Sequence, residues 1–100
     1  MINIQVGNIY ITKNAEKQLK DLPKEIQKKF KKQIEIFKQN PYHPSLQFKK
    51  YYAQKSNLWE IRINSKYRVI LEQHIQDNEI KSDFTVIAIG KHDILDKSNF

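Results

Sequence analysis

The sequence predicts an α+β domain, with a helical hairpin laid on one face of a small, mostly antiparallel sheet and the elements in the order strand, helix, helix and four strands (β-α-α-β-β-β-β). Three observations lead there. Apolar residues recur at helical spacing between residues 15 and 37, they alternate with period two from residue 59 onward, and 39% hydrophobic residues with only 2 Gly and 3 Pro are the composition of a folded chain. At 100 residues the chain has the usual size of one domain, so residues 1–100 are expected to share a single core without a linker.

Ile2, Ile4 and Val6 alternate, as do Ile9 and Ile11, yet the two sets differ in parity across Gly7 and Asn8. A strand with a bulge at Gly7 has this pattern. Thr12 is placed to cap a short helix whose apolar face is Ala15, Leu19 and Leu22, and Pro23 suits the first turn of a second helix, with Glu25 near its positive end. That second helix carries Ile26, Phe30, Ile34 and Phe37 on one face and spreads Lys24, Lys28, Lys31, Lys32 and Lys38 around the rest. It must stop at Asn40, ahead of Pro41. "NPYHPS" reads as a loop, and Leu46 and Phe48 as the start of a strand. Trp59, Ile61 and Ile63 then alternate with Glu60 and Arg62, and Tyr67, Val69 and Leu71 alternate with Arg68 and Ile70. The polar "QDNEIKSD" leads to "FTVIAIG", a strand apolar on both faces and therefore central or covered, and the tail "KHDILDKSNF" shows no period.

Of the 18 lysines and arginines, only Arg62 and Arg68 are arginine. If the odd-numbered apolar residues of both flanking strands face the core, odd must pair with odd, because a slip of one residue inverts a strand's faces. The shortest such connection is a three-residue loop, Asn64, Ser65 and Lys66, with Ile63 opposite Tyr67. Arg62 then lies directly opposite Arg68. Like charges so placed destabilise the pair by an amount on the order of 0.2–1 kcal/mol, and two readings account for them. In one, Glu60 and Glu72 neutralise the arginines in a solvated face of diagonal salt bridges, which contribute little. In the other, the arginines share an anion, since planar guanidinium forks bind phosphate oxygens bidentately where lysine offers a point charge.

Zero cysteines exclude disulfides, thiolate metal sites and a cysteine nucleophile, and agree with a reducing compartment. No run approaches the roughly 18 apolar residues of a membrane span. "MINIQVGNIY" lacks the basic start and long apolar stretch of a signal peptide, so a cytoplasmic protein with no membrane association is expected. The net charge of +7 points to an anionic partner, whether nucleic acid, an acidic protein or an anionic membrane surface, against the alternative of a solvated lysine surface. His43 and His74 have no partner at metal-ligand spacing, and neither a metal nor another cofactor is expected.

In their order, "LPKEIQKKF", "NPYHPSL", "LWEIRINSKYRVIL" and "IAIGKHDIL" resemble the RelE/ParE superfamily of bacterial type II toxin-antitoxin toxins, in particular its RelE-like mRNA interferase branch, over nearly the whole chain. The resemblance implies a RelE/ParE-like fold, a small curved sheet with two N-terminal helices and a site on the concave face. It also implies a toxin that inhibits translation as a ribosome-dependent endoribonuclease. Such members cleave mRNA in the ribosomal decoding site, without a metal, by activating a ribose 2'-OH against the adjacent phosphate. By motif, the strand arginine before the hairpin matches Arg62, the arginine of "YR" matches Arg68, and the charged or imidazole residue after the last strand's glycine matches His92. The position two before Arg62, where the superfamily varies, is Glu60.

In the roles so implied, Arg62 and Arg68 hold the scissile phosphate and stabilise charge on its oxygens. Glu60 takes the 2'-OH proton, and His92, with the side chain whose ordinary titration falls nearest neutrality, protonates the leaving 5'-oxygen. Lys49, Lys50 and Lys91 are candidate RNA contacts, and Tyr51 and Tyr52 beside the first two are candidate stacking groups, with solvated lysines and half-buried tyrosines as the competing reading. Many active members carry a tyrosine near the C-terminus. "DILDKSNF" has none, and Phe100 can stack on a base but cannot donate a proton.

The implied partners are a cognate antitoxin, which would fold over the apolar helix face or a sheet edge with acidic residues against basic ones, and mRNA together with ribosomal RNA. Self-association is left open. Two other functions stand beside the nuclease: a ParE-like toxin that inhibits DNA gyrase with no chemistry of its own, and a catalytically inactive relative that binds only its antitoxin or nucleic acid.

Overall fold

The computed structural model describes residues 4–51, 57–75 and 80–95. β1 (Gln5–Ile11) leads into α1 (Lys13–Lys20) and α2 (Lys24–Gln39); β2 (Lys49–Lys50), β3 (Leu58–Arg62), β4 (Tyr67–His74) and β5 (Lys81–Lys91) follow, and α3 (His92–Leu95) comes last. The strands form one five-stranded sheet in the order β1-β5-β4-β3-β2, antiparallel except where β1 runs parallel to β5. The α+β fold and its order of elements are therefore those expected. β5, apolar on both faces, lies inside the sheet between β1 and β4.

Local chemistry explains each boundary. The pairing of β1 shifts between Val6 and Ile9, and a Cβ on Gly7 would stand 2.5 Å from Asp83 Oδ1, the atom that accepts the Asn8 N–H at 2.8 Å. Glycine is what lets the bulge close on that carboxylate. Thr12 Oγ1 accepts the Ala15 N–H at 3.0 Å and starts α1, while Asn40 ends α2 in extended backbone before Pro41. Phe30, Ile34 and Phe37 of α2 and Ala15 of α1 then pack on Ile61, Val69, Leu71, Phe84 and Val86 of the sheet. Phe37 meets Phe48 and Phe84 edge to face, with ring centroids 5.3 and 5.0 Å apart, and Phe48 stacks on Trp59 at 4.5 Å. Burying side chains of this size stabilises by about 1.5–3 kcal/mol each, so this is the main core.

Three features differ from the expectation. Leu46 does not begin a strand: Pro44–Leu46 is a 3₁₀ turn, stabilised by His43 Nδ1 accepting the Ser45 N–H at 3.1 Å, and Gln47 follows it in the left-handed region at φ 50°. β2 is consequently only two residues long. The tail has structure where no period was visible, since His92–Leu95 form a helical turn. Finally, the face of β3 and β4 away from the helices is not simply solvated. Ile70, Ala88 and Leu95 form a second buried cluster there, with Tyr51 and Ile87 against it.

Candidate functional site

The register places Arg62 directly opposite Arg68, on the face of the sheet away from α1 and α2. Side chains in such positions have Cβ atoms roughly 4.5–5.5 Å apart. The connection is the expected three-residue loop, closed by Ile63 N–H donating to Tyr67 O at 2.9 Å. It needs no left-handed residue, because Asn64 Oδ1 accepts both the Lys66 and the Tyr67 N–H at 2.9 Å. Arg68 Nη1 donates to Asn64 O at 2.6 Å and Tyr67 O at 3.2 Å, so one edge of its guanidinium is fixed against the loop. Arg62 is half-buried, and its Nε is a buried donor without a hydrogen-bond partner among the described residues.

Glu60 shares this face two residues before Arg62 and is buried, at 8% exposure. It lies between Ile70 on β4 and Lys49 on β2, and the Lys49 ammonium stands 3.4 Å from Glu60 Oε2. One of the two readings gives Glu60 a diagonal role in neutralising the arginines; the structure pairs it with Lys49 instead. Lys50 is opposite Trp59, on the helix side, with its Nζ 4.5 Å from the centre of the indole ring, a cation-π contact. Lys91 is opposite Tyr67, which packs against the helix-side core. Of the three candidate lysines, Lys49 alone shares the arginine face. His92 is exposed, and its backbone N–H donates to Lys66 O at 3.0 Å, which brings the start of α3 to the loop against which Arg68 is held. Phe100 and Tyr52 lie outside the described residues.

Two positioning features were not read from the sequence. Gln33, 2% exposed on α2, donates through Nε2 to Arg62 O at 2.9 Å and Ser45 O at 3.2 Å, tying the helical layer to the end of β3. A polar residue amid Phe30, Ile34 and Phe37 was the available signal. Tyr51 continues the β2 ladder opposite Leu58, and its hydroxyl donates to Leu95 O at 2.8 Å. His43 and His74 are structural, His74 Nε2 lying 2.7 Å from Thr85 Oγ1. Among the described residues no group of His, Asp and Glu is arranged to hold a metal, and no helix is long and apolar enough to cross a membrane.

The register therefore sets two arginines opposite each other on a sheet face that also carries the buried carboxylate of Glu60, with the exposed His92 joined through its backbone to the adjoining loop. Comparison with known proteins bears on this arrangement in two ways. The family described as "ParE toxin of type II toxin-antitoxin system, parDE" matches residues 9–95. Among solved structures, a YoeB/ParE toxin from Agrobacterium tumefaciens superposes with a TM-score of 0.68 at 15% identity, covering 86% of this chain and 99% of that one. The archaeal RelE-RelB complex from Pyrococcus horikoshii OT3 gives 0.66 at 20% identity, with 87% and 96% covered. The E. coli DinJ-YafQ toxin-antitoxin complex gives 0.68 at 16% identity, with 92% and 98% covered. At these identities the likeness is one of fold. No curated protein matches the chain by sequence.

Proposed function

We propose, from the premise that this chain belongs to the ParE toxin family of type II toxin-antitoxin systems, within the RelE/ParE superfamily, that it acts by cleaving mRNA on the ribosome. The observation that carries this reading is the register that sets its only two arginines against each other on one sheet face. A fold gains nothing from opposing two guanidinium groups. A phosphate seated between them turns that repulsion into two sets of charge-assisted hydrogen bonds, and Arg62 Nε has a donor to offer it.

The chemistry follows from the neighbours. Glu60 accepts the proton of a ribose 2'-OH, whose oxygen attacks the adjacent phosphorus. As the P–O5' bond breaks, His92 gives its proton to the leaving oxygen, so that a cyclic phosphate and a free 5'-hydroxyl result. Arg62 and Arg68 stabilise the charge that builds on the phosphoryl oxygens in between. The Lys49 ammonium, 3.4 Å from Glu60 Oε2, fixes where that carboxylate sits.

The proposed protein partner is a cognate antitoxin. Tyr10 and Ile11 are exposed on β1, an edge strand, beside an apolar groove formed with Leu19, Phe30 and Ile34. Lys13, Lys17 and Lys20 of α1 border a neighbouring groove that shares Glu16 with the first. An acidic segment with an apolar stripe suits both surfaces.

One experiment tests the activity. The chain is expressed from a tight promoter, and mRNA 5' ends and gyrase supercoiling are measured in the same cells. New cleavage within translated codons, abolished by Arg68→Ala or His92→Gln in stably folded protein, is the expected result. Intact mRNA with blocked supercoiling would overturn it in favour of ParE-like gyrase inhibition.

A further inference from the structure

We infer that Tyr51 is a positioning residue, whose hydroxyl clips the C-terminal turn onto the arginine face and so holds His92 at the hairpin loop. This rests on the nuclease reading for its consequence in catalysis, but not for the clip itself. α3 has only four residues, too few to stand as an isolated helix. What keeps it in place must come from outside it.

Two attachments do so, and they lie at its two ends. At the start, the His92 N–H donates to Lys66 O at 3.0 Å. At the end, Leu95 is 2% exposed and packs with Ile70 and Ala88, while its carbonyl accepts the Tyr51 hydroxyl at 2.8 Å. Gly90 lies beside the Leu95 side chain, where a Cβ would make ordinary van der Waals contact at 3.7 Å. The floor under Leu95 is made by the residues that alternate with the main core, so the turn can dock only on the face that carries Arg62 and Arg68.

The Tyr51 ring and hydroxyl have separable parts in this. The ring packs beside Ile70, Ala88 and Leu95, and the hydroxyl satisfies a carbonyl at the end of a helix, a group with no acceptor role inside so short a turn. The tail lacks the C-terminal tyrosine that many active members of the superfamily carry. Here a tyrosine hydroxyl reaches the C-terminal turn from β2 instead, engaged with backbone.

Tyr51→Phe keeps the ring and removes only the hydroxyl. In that variant, amide hydrogen exchange at residues 92–95 is expected to accelerate roughly 2- to 12-fold, the loss of one ordinary hydrogen bond. The His92 imidazole resonances are expected to shift, while exchange in β4 stays unchanged. Leu95→Ala, which loosens the same turn from the opposite side, is expected to do likewise. In the ribosome-dependent cleavage assay, Tyr51→Phe should lower the rate at saturating ribosomes without weakening ribosome binding.

Unchanged exchange and unchanged His92 resonances in Tyr51→Phe would overturn the clip. Faster exchange with an undiminished cleavage rate would overturn its part in positioning. If wild-type protein cleaves nothing, the nuclease reading fails, and exchange and the His92 resonances still decide the clip.

Discussion

On the helix side of the sheet, Ile61, Val69, Leu71, Phe84 and Val86 meet Phe30, Ile34 and Phe37 in a continuous core braced by edge-to-face rings. On the other side, among the described residues, the buried apolar cluster is Ile70, Ala88 and Leu95 with two half-buried neighbours, and it gives way to Lys49, Glu60, Arg62 and Arg68. The same strands build both faces, one residue out of step. Apolar packing is therefore concentrated on one face of these strands, and opposed charge on the other. Because the faces share a register, the core that selects the pairing of β3 with β4 also sets the arginines opposite each other.

This contrast can be broken at its strong side first. Phe37 is fully buried between Phe48 and Phe84. Phe37→Ala is expected to lower the unfolding free energy by about 3–5 kcal/mol in urea denaturation. A loss below ~1 kcal/mol would mean that the helix side is not where the stability resides.

The link between the faces comes next. Gln33 is the buried polar group that ties α2 to the backbone of Arg62. Gln33→Ala leaves two carbonyls short of a donor and is expected to cost about 1–3 kcal/mol. It should also weaken RNA binding, although Gln33 lies on the far side of the sheet from the arginines. Wild-type binding in a destabilised but folded variant would show the two faces to be independent.

The smallest changes in stability are expected on the charged face itself, and they differ in sign. Arg62→Ala relieves like-charge opposition and removes an unpartnered buried donor, so stability should be unchanged or rise by up to roughly 1 kcal/mol. Arg68→Ala loses bonds to Asn64 O and Tyr67 O and should fall by roughly 1 kcal/mol. Both should weaken binding of a short RNA, with a shallower salt dependence than wild type. Parallel stability losses in the two variants would argue that the arginines are structural and that the anion site is not their purpose.

Much of this was legible in residues that are neighbours in sequence. Period two over 59–63 and 67–71, the three-residue loop between them and the parity of the arginines are local facts, and the structure reproduces them as register. The bulge at Gly7, the Thr12 cap and the end of α2 at Asn40 were likewise written in short motifs. Less legible was "KHDILDKSNF", where a four-residue turn has no room for a period.

What the sequence determined by itself is the alternation that makes one face apolar and leaves Glu60, Arg62 and Arg68 together on the other, since side-chain direction in a strand follows from position alone. What only the tertiary structure decided is what covers that second face and where its charges go. Leu95 settles on Ile70 and Ala88 and is held by Tyr51 across 44 residues of chain, Glu60 is buried against Lys49, and Lys50 turns away to Trp59. Each of these joins segments that the chain brings together only after the sheet has formed, and contacts of that kind leave no periodic trace in the segments themselves.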